Sequence, residues 1–193
     1  ILSGLVGSEM CIRDRSKKEI SFTHVYQHKI LLTTDQVIQT AHRPLPLHQV
    51  DIVTEMVNEM EEMGIIEKSN SQYRSPVLLV KKRNSDGSKT GDFRFVLDTR
   101  ILNHFSQNLL YPMPSVEETR SLCGKGNYFS IFDLKSAYHQ IFLADEESKN
   151  ATSFWLSGLG CYRYRVVPMG HKQSAGALLS LIHISEPTRP ERS

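Results

Sequence analysis

No stretch of this chain approaches the roughly 18 consecutive apolar residues that a membrane-spanning helix needs, so no span is expected. The opening "ILSGLVGSEMCIRDR" is briefly apolar but turns acidic at Glu9, too short and too early for a secretory signal. Cysteine is scarce. Cys11, Cys123 and Cys161 form no C-x-x-C pair and are odd in number, which argues against a disulfide framework and for reduced cytosolic thiols. The eight histidines are read as offering no H-x-x-x-H or H-x-H ligand pair, and no zinc site is expected. An excess of one charge is missing too: a net +2 over 193 residues gives no global electrostatic argument for a partner. Internal repeats and low-complexity segments are absent from the sequence. What remains is an ordinary soluble composition, long enough for one domain with a real core.

The two ends share an unusual relation. "LSLIHISEPTR", Leu179 to Arg189, back-translates to a DNA word whose reverse complement, read one base in, encodes "LVGSEMCIRD", Leu5 to Asp14. One word thus encodes both ends, once on each strand, and it looks like an adapter of transposase-based sequencing libraries. Residues 1–15 and 179–193 are therefore expected to be library artefact, with a natural inverted repeat as the alternative. Each tail holds two acidic and two basic residues, so the remaining core keeps its charge of +2.

Residues 16–46 read as an extended lead-in, with breakers in "HRPLPLH". From Leu47, apolar residues recur at Val50, Val53, Val57 and Met60, with Met56 and Met63 beside them, which predicts a helix whose methionines pack in the core. Gly64 is its expected C-terminal cap. "SPVLLVKK", Ser75 to Lys82, reads as a strand. "RNSDGSKTGD" reads as a turn, and "FRFVLD", Phe93 to Asp98, as the strand that pairs back. Ser115 and Glu118 make a capping box for a short helix ending at Gly124. "YFSIFD" and "HQIFLA" read as strands, and "ATSFWL" with "CYRYRVV" as a second hairpin turning at Gly158 to Gly160. Helices mixed with antiparallel hairpins, without a βαβ repeat, predict an α+β fold.

Asp133, in "FDLKSAYHQI", stands at the end of an alternating run, with Tyr138 five residues on. A carboxylate at a strand end beside an aromatic suggests metal-dependent chemistry on phosphates. Taken alone, Asp133 reads equally as a surface or capping residue, and Tyr138 as a core aromatic. The segment from Lys81 to Arg100 concentrates positive charge: Lys81, Lys82, Arg83, Lys89, Arg94 and Arg100 against three acidic residues give +3 on one element. A solvated, lysine-rich hairpin is the alternative there, and the better one for Lys89.

Five blocks, "GIIEKSNSQYRSPVLLVKKRNSDG", "FRFVLDTRILN", "YPMPSVEETRSLCGKGNYFSIFDLKSAYHQI", "TSFWLSGLGCYRYR" and "VVPMG", resemble in order and spacing the reverse transcriptase of gypsy-type LTR retrotransposons. The resemblance covers about residues 47–178. It implies the fingers and a partial palm of a right-hand polymerase, part of a retrovirus-related Pol polyprotein. It also implies two-metal transfer of deoxynucleotides onto a primer, on an RNA or DNA template. Asp133, with the backbone carbonyl of Leu134, would ligate two Mg²⁺, which favour hard oxygen donors. Tyr138 would close off the 2′ side of the sugar and exclude ribonucleotides. Lys82 and Arg94 would grip the triphosphate, lysine as a point charge and arginine in bidentate fashion. Asp98, Arg100 and Asn103 match a D-x-R-x-L-N pattern that braces the fingers or touches template. Met169 and Gly170 would cradle template and nucleotide, glycine allowing close backbone approach. The implied partners are template-primer and deoxynucleoside triphosphates, with no membrane. The implied location is the cytoplasm, in a retrotransposon particle, or the nucleus.

The chain departs from that pattern in places. Met169 stands where the family more often has Phe or Gln. Gln173 to Gly176 replace "NAP" or "SP", Leu178 an expected aromatic, and Thr99 a customary one. The family's second carboxylate motif, Tyr-x-Asp-Asp, is not in the sequence. The polypeptide as written is therefore expected not to polymerise, and its incomplete palm to leave an unpaired strand edge. A non-enzymatic nucleic-acid-binding remnant of a transposable element is the alternative. Asn150-Ala151-Thr152 fits a glycosylation acceptor, which carries little weight without a secretory signal.

Overall fold

The computed structural model describes residues 20, 22–83, 89–108, 115–124, 134 and 136–185. The order of elements begins with strand β1 (Thr23–His28), helix α1 (Leu47–Glu62) and strand β2 (Ile66–Lys68). Strands β3 (Val77–Arg83) and β4 (Lys89–Leu97) follow, then helices α2 (Arg100–Phe105) and α3 (Val116–Cys123). A 3-10 turn (Ala137–Gln140) leads into β5 (Ile141–Leu143), α4 (Glu146–Ala151), β6 (Phe154–Leu156), β7 (Gly160–Tyr164) and α5 (Ser174–Ser185). The fold is α+β.

Three small sheets form: β1 with β5, β2-β7-β6, and β3 with β4. Backbone bonds stitch them together. Leu143 N–H donates to Arg165 O at 2.9 Å, Val167 N–H to Ile141 O at 2.9 Å, and Arg165 N–H to Ile65 O at 2.9 Å. A bridge between Ser75 and Phe154 ties the β3 end to β6. One core fills the space between the sheets, with Phe154, Val57, Ile141, Val166 and Val167 at 0% exposure.

Helix α1 forms where the periodicity placed it. Val53 and Val57 are buried, Met60 and Met63 pack against the core, and Gly64 takes φ +70 just past the C-cap residue Met63. Val50 is the exception, exposed in the first turn beside Leu47. The β3–β4 hairpin forms as expected, an apolar run paired antiparallel with the alternating second strand. Val77, Leu79, Phe95 and Leu97 face the core, while Val80 pairs with Arg94 on the outward face. The capping box closes as expected: Glu118 N–H donates to Ser115 Oγ at 3.1 Å, and Ser115 N–H to Glu118 Oε2 at 2.7 Å.

Several expectations need correction. β1 pairs with β5 in parallel, so part of the lead-in is sheet, joined to a strand more than a hundred residues away. β4 starts at Lys89, inside the segment expected to turn. His139 and Gln140 belong to the 3-10 turn, and the strand begins only at Ile141. Ala151 ends α4, which leaves Phe154 to Leu156 as the strand. Helix α4 was foreshadowed by an unread signal. Asp145 caps it, accepting from Ser148 N–H at 2.8 Å, and Glu146 and Glu147 fill the first turn, where negative charge suits the helix dipole. The expected strand "YFSIFD" lies outside the described residues.

Candidate nucleotide and template site

The outward face of the β3–β4 hairpin is set by strand geometry. Val80 opposite Arg94 fixes that face, and Lys82 with Asp92 continues it, their charges 4.0 Å apart across the strands. Arg94 is exposed, and Val80 is half-exposed beside it. On the other face at the hairpin's outer end, Lys81 Nζ lies 5.8 Å from the centre of the Phe93 ring. The hairpin thus offers cations to solvent while its base is anchored in the core.

At the foot of β4 the chain turns sharply into α2. Asp98 N–H donates to Pro76 O at 2.8 Å, which pins the turn to the start of β3. Arg100 closes a bidentate pair on Asp98, Nε to Oδ1 at 2.8 Å and Nη2 to Oδ2 at 2.6 Å. Arg43 stands 4.0 Å from the same carboxylate. The Arg100 hydrogen bonds hold the Asp98 carboxyl below the usual carboxylate range. Asp98 is nearly buried while Arg100 remains exposed, so the carboxylate anchors a guanidinium that is otherwise open to solvent.

Helix α2 then clamps the segment that carries Met169 and Gly170. Thr99 Oγ1 donates to Gly170 O at 2.8 Å, and Asn103 Nδ2 donates to the same carbonyl at 2.9 Å. Asn103 Oδ1 accepts from Lys172 N–H at 2.9 Å. One side-chain amide therefore holds two backbone groups on either side of His171. Lys172 Nζ adds bonds to Ser106 O and Asn108 Oδ1. Thr99, which replaces a customary aromatic, is buried and spends its hydroxyl on this clamp. Neither Thr99 nor Lys172 was singled out from the sequence for this part. Their signal is tertiary and no local pattern carries it.

Gly170 adopts φ +91, and a Cβ there would meet Thr99 Oγ1 at 3.3 Å. Gly170→Ala is expected to lower unfolding free energy by about 1–2 kcal/mol, the cost of a left-handed residue with a side chain. Urea unfolding of the two chains measures this, and an unchanged midpoint would contradict the clamp geometry.

Met169 and Gly170 are exposed at the surface of this segment. Tyr138 sits in the 3-10 turn, half-buried against the main core, and Leu134 is half-exposed. The turn is preceded by Ser136 at φ 50, the sole non-glycine with positive φ among the described residues. Val167 N–H to Ile141 O joins the strand after Tyr138 to the segment leading to Met169. The structure thus groups Asp98, Arg100, Asn103, Met169 and Gly170 directly. Lys82 and Arg94 lie further along the hairpin. Asp133 lies outside the described residues, so its relation to Leu134 and Tyr138 is not described.

Among the described residues no group of three His, Cys, Asp or Glu is placed to hold a metal ion. His24 and His28 do stand four apart, but on strand β1, where four residues span about 13 Å and cannot chelate one ion. Cys161 is half-buried, and burial raises its thiol pKa. Asn150, of the glycosylation pattern, accepts from Arg163 Nη1 at 2.8 Å, and Thr152 is fully buried. No helix among the described residues is long and apolar enough to cross a membrane.

Comparison with known proteins bears on this geometry. The family described as reverse transcriptase (RNA-dependent DNA polymerase) matches residues 80–186, which hold the hairpin's second half, the clamp and α5. The retrovirus-related Pol polyprotein from transposon 412 of Drosophila melanogaster is 33% identical over 166 residues, 86% of this chain and 13% of that protein. Its counterpart from transposon 297 is 33% identical over 170 residues, 88% of this chain and 16% of that protein. The counterpart from transposon gypsy is 31% identical over 186 residues, 87% of this chain and 18% of that protein. The chain spans less than a fifth of the length of these relatives. It belongs to the reverse transcriptase family and is a reverse transcriptase domain of the kind found in retrotransposon Pol polyproteins.

Proposed function

We propose that this chain supplies the fingers and the first part of the palm of an RNA-directed DNA polymerase. The observation that carries the reading is the hairpin. Its outward face presents Arg94 and Lys82 to solvent, on an element whose inner face is locked into the core. A triphosphate meeting that face gains charge-assisted bonds without the hairpin having to refold. Asp98 and Arg100 brace its base, and Asn103 holds Met169 and Gly170 where template and nucleotide would rest. Tyr138, half-buried and fixed in its turn, suits a steric check on the 2′ side of the sugar.

The metal requirement is a separate matter. In the assembled enzyme the family would use two divalent cations, Mg²⁺ by chemistry, to activate the attacking oxygen and the leaving group. The donors this chain offers, Asp133 and the Leu134 carbonyl, are too few for two ions, and the described residues add no further acidic set. No step is therefore assigned to a metal here, and we propose that the chain does not polymerise by itself. Two short terminal segments, 1–15 and 179–193, are proposed to derive from library sequence, and genomic sequence continuing those peptides would refute that.

The poor metal set favours a second reading, a nucleic-acid-binding remnant without catalysis. A primer-extension assay on the purified chain with Mg²⁺ and deoxynucleotides separates these ideas from an active enzyme. No extension is expected, and template-directed incorporation would overturn the claim of inactivity. Triphosphate binding that depends on Arg94 supports the polymerase-fragment reading. Binding of nucleic acid alone, with no triphosphate site, supports the remnant.

A further inference from the structure

The outward face of the β2-β7-β6 sheet carries a surface that the proposed function does not use. Phe154 pairs with Tyr162 on the core side, so Trp155 and its partner Cys161 point the other way, and Trp155 is half-exposed. Two extended segments widen this layer beyond β6. Ser75 N–H donates to Ser153 O at 2.9 Å, Arg74 N–H to Ile38 O at 3.0 Å, and Thr40 N–H to Arg74 O at 2.9 Å. Ser75 is buried beside Phe154, so Arg74 falls on the same outward side as Trp155. The Arg74 charge is felt at the Cys161 thiol, where it acts against the larger effect of burial. His42 lies against Trp155, with ring centroids 4.8 Å apart and planes at 82°.

The charge on this face is unbalanced. Ser69 N–H donates to Cys161 O at 3.0 Å, and beside that contact opens a polar recess of about 290 Å³ lined by Lys68, Ser69, Asn70, Ser71, Asn150 and Arg163. Arg163 is already spent: Nε donates to Glu67 Oε1 at 2.8 Å and Nη1 to Asn150 Oδ1 at 2.8 Å, with Glu146 Oε2 at 2.7 Å from Nη1. Arg165 and Lys149 stand on the same two carboxylates. Glu67 and Glu146 are thus neutralised locally. Lys68 and Arg74 are exposed and have no carboxylate partner among the described residues. The other acids nearby, Asp35 and Glu147, act on Tyr73, whose ring packs against the small cluster of Ile38, Leu102 and Ala151.

We propose that this face binds single-stranded nucleic acid, with a base stacked on the Trp155–His42 pair and the flanking phosphates on Arg74 and Lys68. Every base has a π-face to lay on an aromatic ring, and unpaired cations beside the ring follow the backbone without reading sequence. A duplex fits less well, because its bases are already stacked on one another. One large ring among charged and polar groups is also too little apolar surface for the core of a protein interface. The surface shares no residue with the hairpin grip or with the clamp on Gly170, so it would hold a strand in addition to whatever those elements bind.

Trp155 is the sole tryptophan of the chain, so its fluorescence reports on this face directly. Titrating the full chain with an oligothymidylate of about 12 nucleotides should quench that emission to saturation. Arg74→Ala and Lys68→Ala should each weaken binding about 5-fold at low salt and reduce the slope of log affinity against log salt by about 0.7, the share of one phosphate contact on a single strand. Both residues are exposed, so their urea midpoints should match that of the parent chain. Anisotropy of a labelled oligothymidylate should show binding kept in Trp155→Phe and weakened about 10-fold in Trp155→Ala. Absent quenching, or oligonucleotide binding that leaves the tryptophan emission unchanged, would overturn the proposal. An affinity that Arg74→Ala leaves unaltered would overturn it too. Equal quenching by polyglutamate would do the same, since it would make this a docking face for an acidic protein.

Discussion

Phe154→Ala is expected to lower the stability of the chain by about 3–5 kcal/mol, the range for emptying a fully buried aromatic site. Phe154 is at 0% exposure, with its ring 5.4 Å from Phe95, 6.0 Å from Tyr162 and 5.9 Å from Tyr164. It sits where β6 meets both β7 and the residues just before β3, so three segments close on one side chain. Its neighbours are held by backbone ladders and cannot collapse into the space. Val80→Ala is the control: Val80 is 50% exposed, and its loss should stay within about 0.5 kcal/mol. Denaturant midpoints of the two variants measure the difference. Equal shifts would mean that the core is not where it is described.

Acidification is expected to destabilise the fold well above the range where carboxylates titrate. Burial pushes His171 down to about 4, helped by the neighbouring His28 and Lys172. His28 and His139 are lowered in the same direction by burial. A histidine whose folded pKa is depressed binds its proton more tightly in the unfolded chain. Its stabilising contribution is complete above about pH 6.5 and is lost as pH falls toward 4. For His171 alone the loss at pH 5 is about 2 kcal/mol relative to pH 8. Asp98, Asp145, Glu118 and Glu146 are also lowered and act in the same sense, but only at lower pH, in the carboxylate range. Thermal unfolding from pH 8 to pH 5 checks this. A flat profile over that window would contradict the burial of these three histidines.

Particular residues show what the sequence could and could not disclose. The hairpin was legible because an apolar run, "SPVLLV", is followed by a turn signal and then by "FRFVLD", whose Phe93, Phe95 and Leu97 alternate with Arg94 and Val96. Helix α1 was legible from Val53 and Val57, and the capping box from Ser115 and Glu118 alone. β1 was not. "THVYQH" has little alternation, and its partner Ile141–Leu143 is remote in the chain, so only the folded backbone reveals the pairing. The 3-10 turn at Ala137 depends on the left-handed Ser136, a conformation that no residue preference signals for serine. At the site, the Asp98–Arg100 pair is local, two residues apart, and it fell within a recognisable motif. The clamp of Thr99 and Asn103 on Gly170 joins segments about seventy residues apart, and no local pattern marks Thr99 for it.

The central claim is that the β3–β4 hairpin is a triphosphate grip. Its most direct test is an NMR titration of the chain with a deoxynucleoside triphosphate, repeated with inorganic tripolyphosphate. The account predicts shifts at Lys82 and Arg94 with both ligands, and an affinity at least about 10-fold weaker in Arg94→Ala, as expected for one charge-assisted bond. Shifts confined to other surfaces, or affinity unchanged by Arg94→Ala, would contradict it.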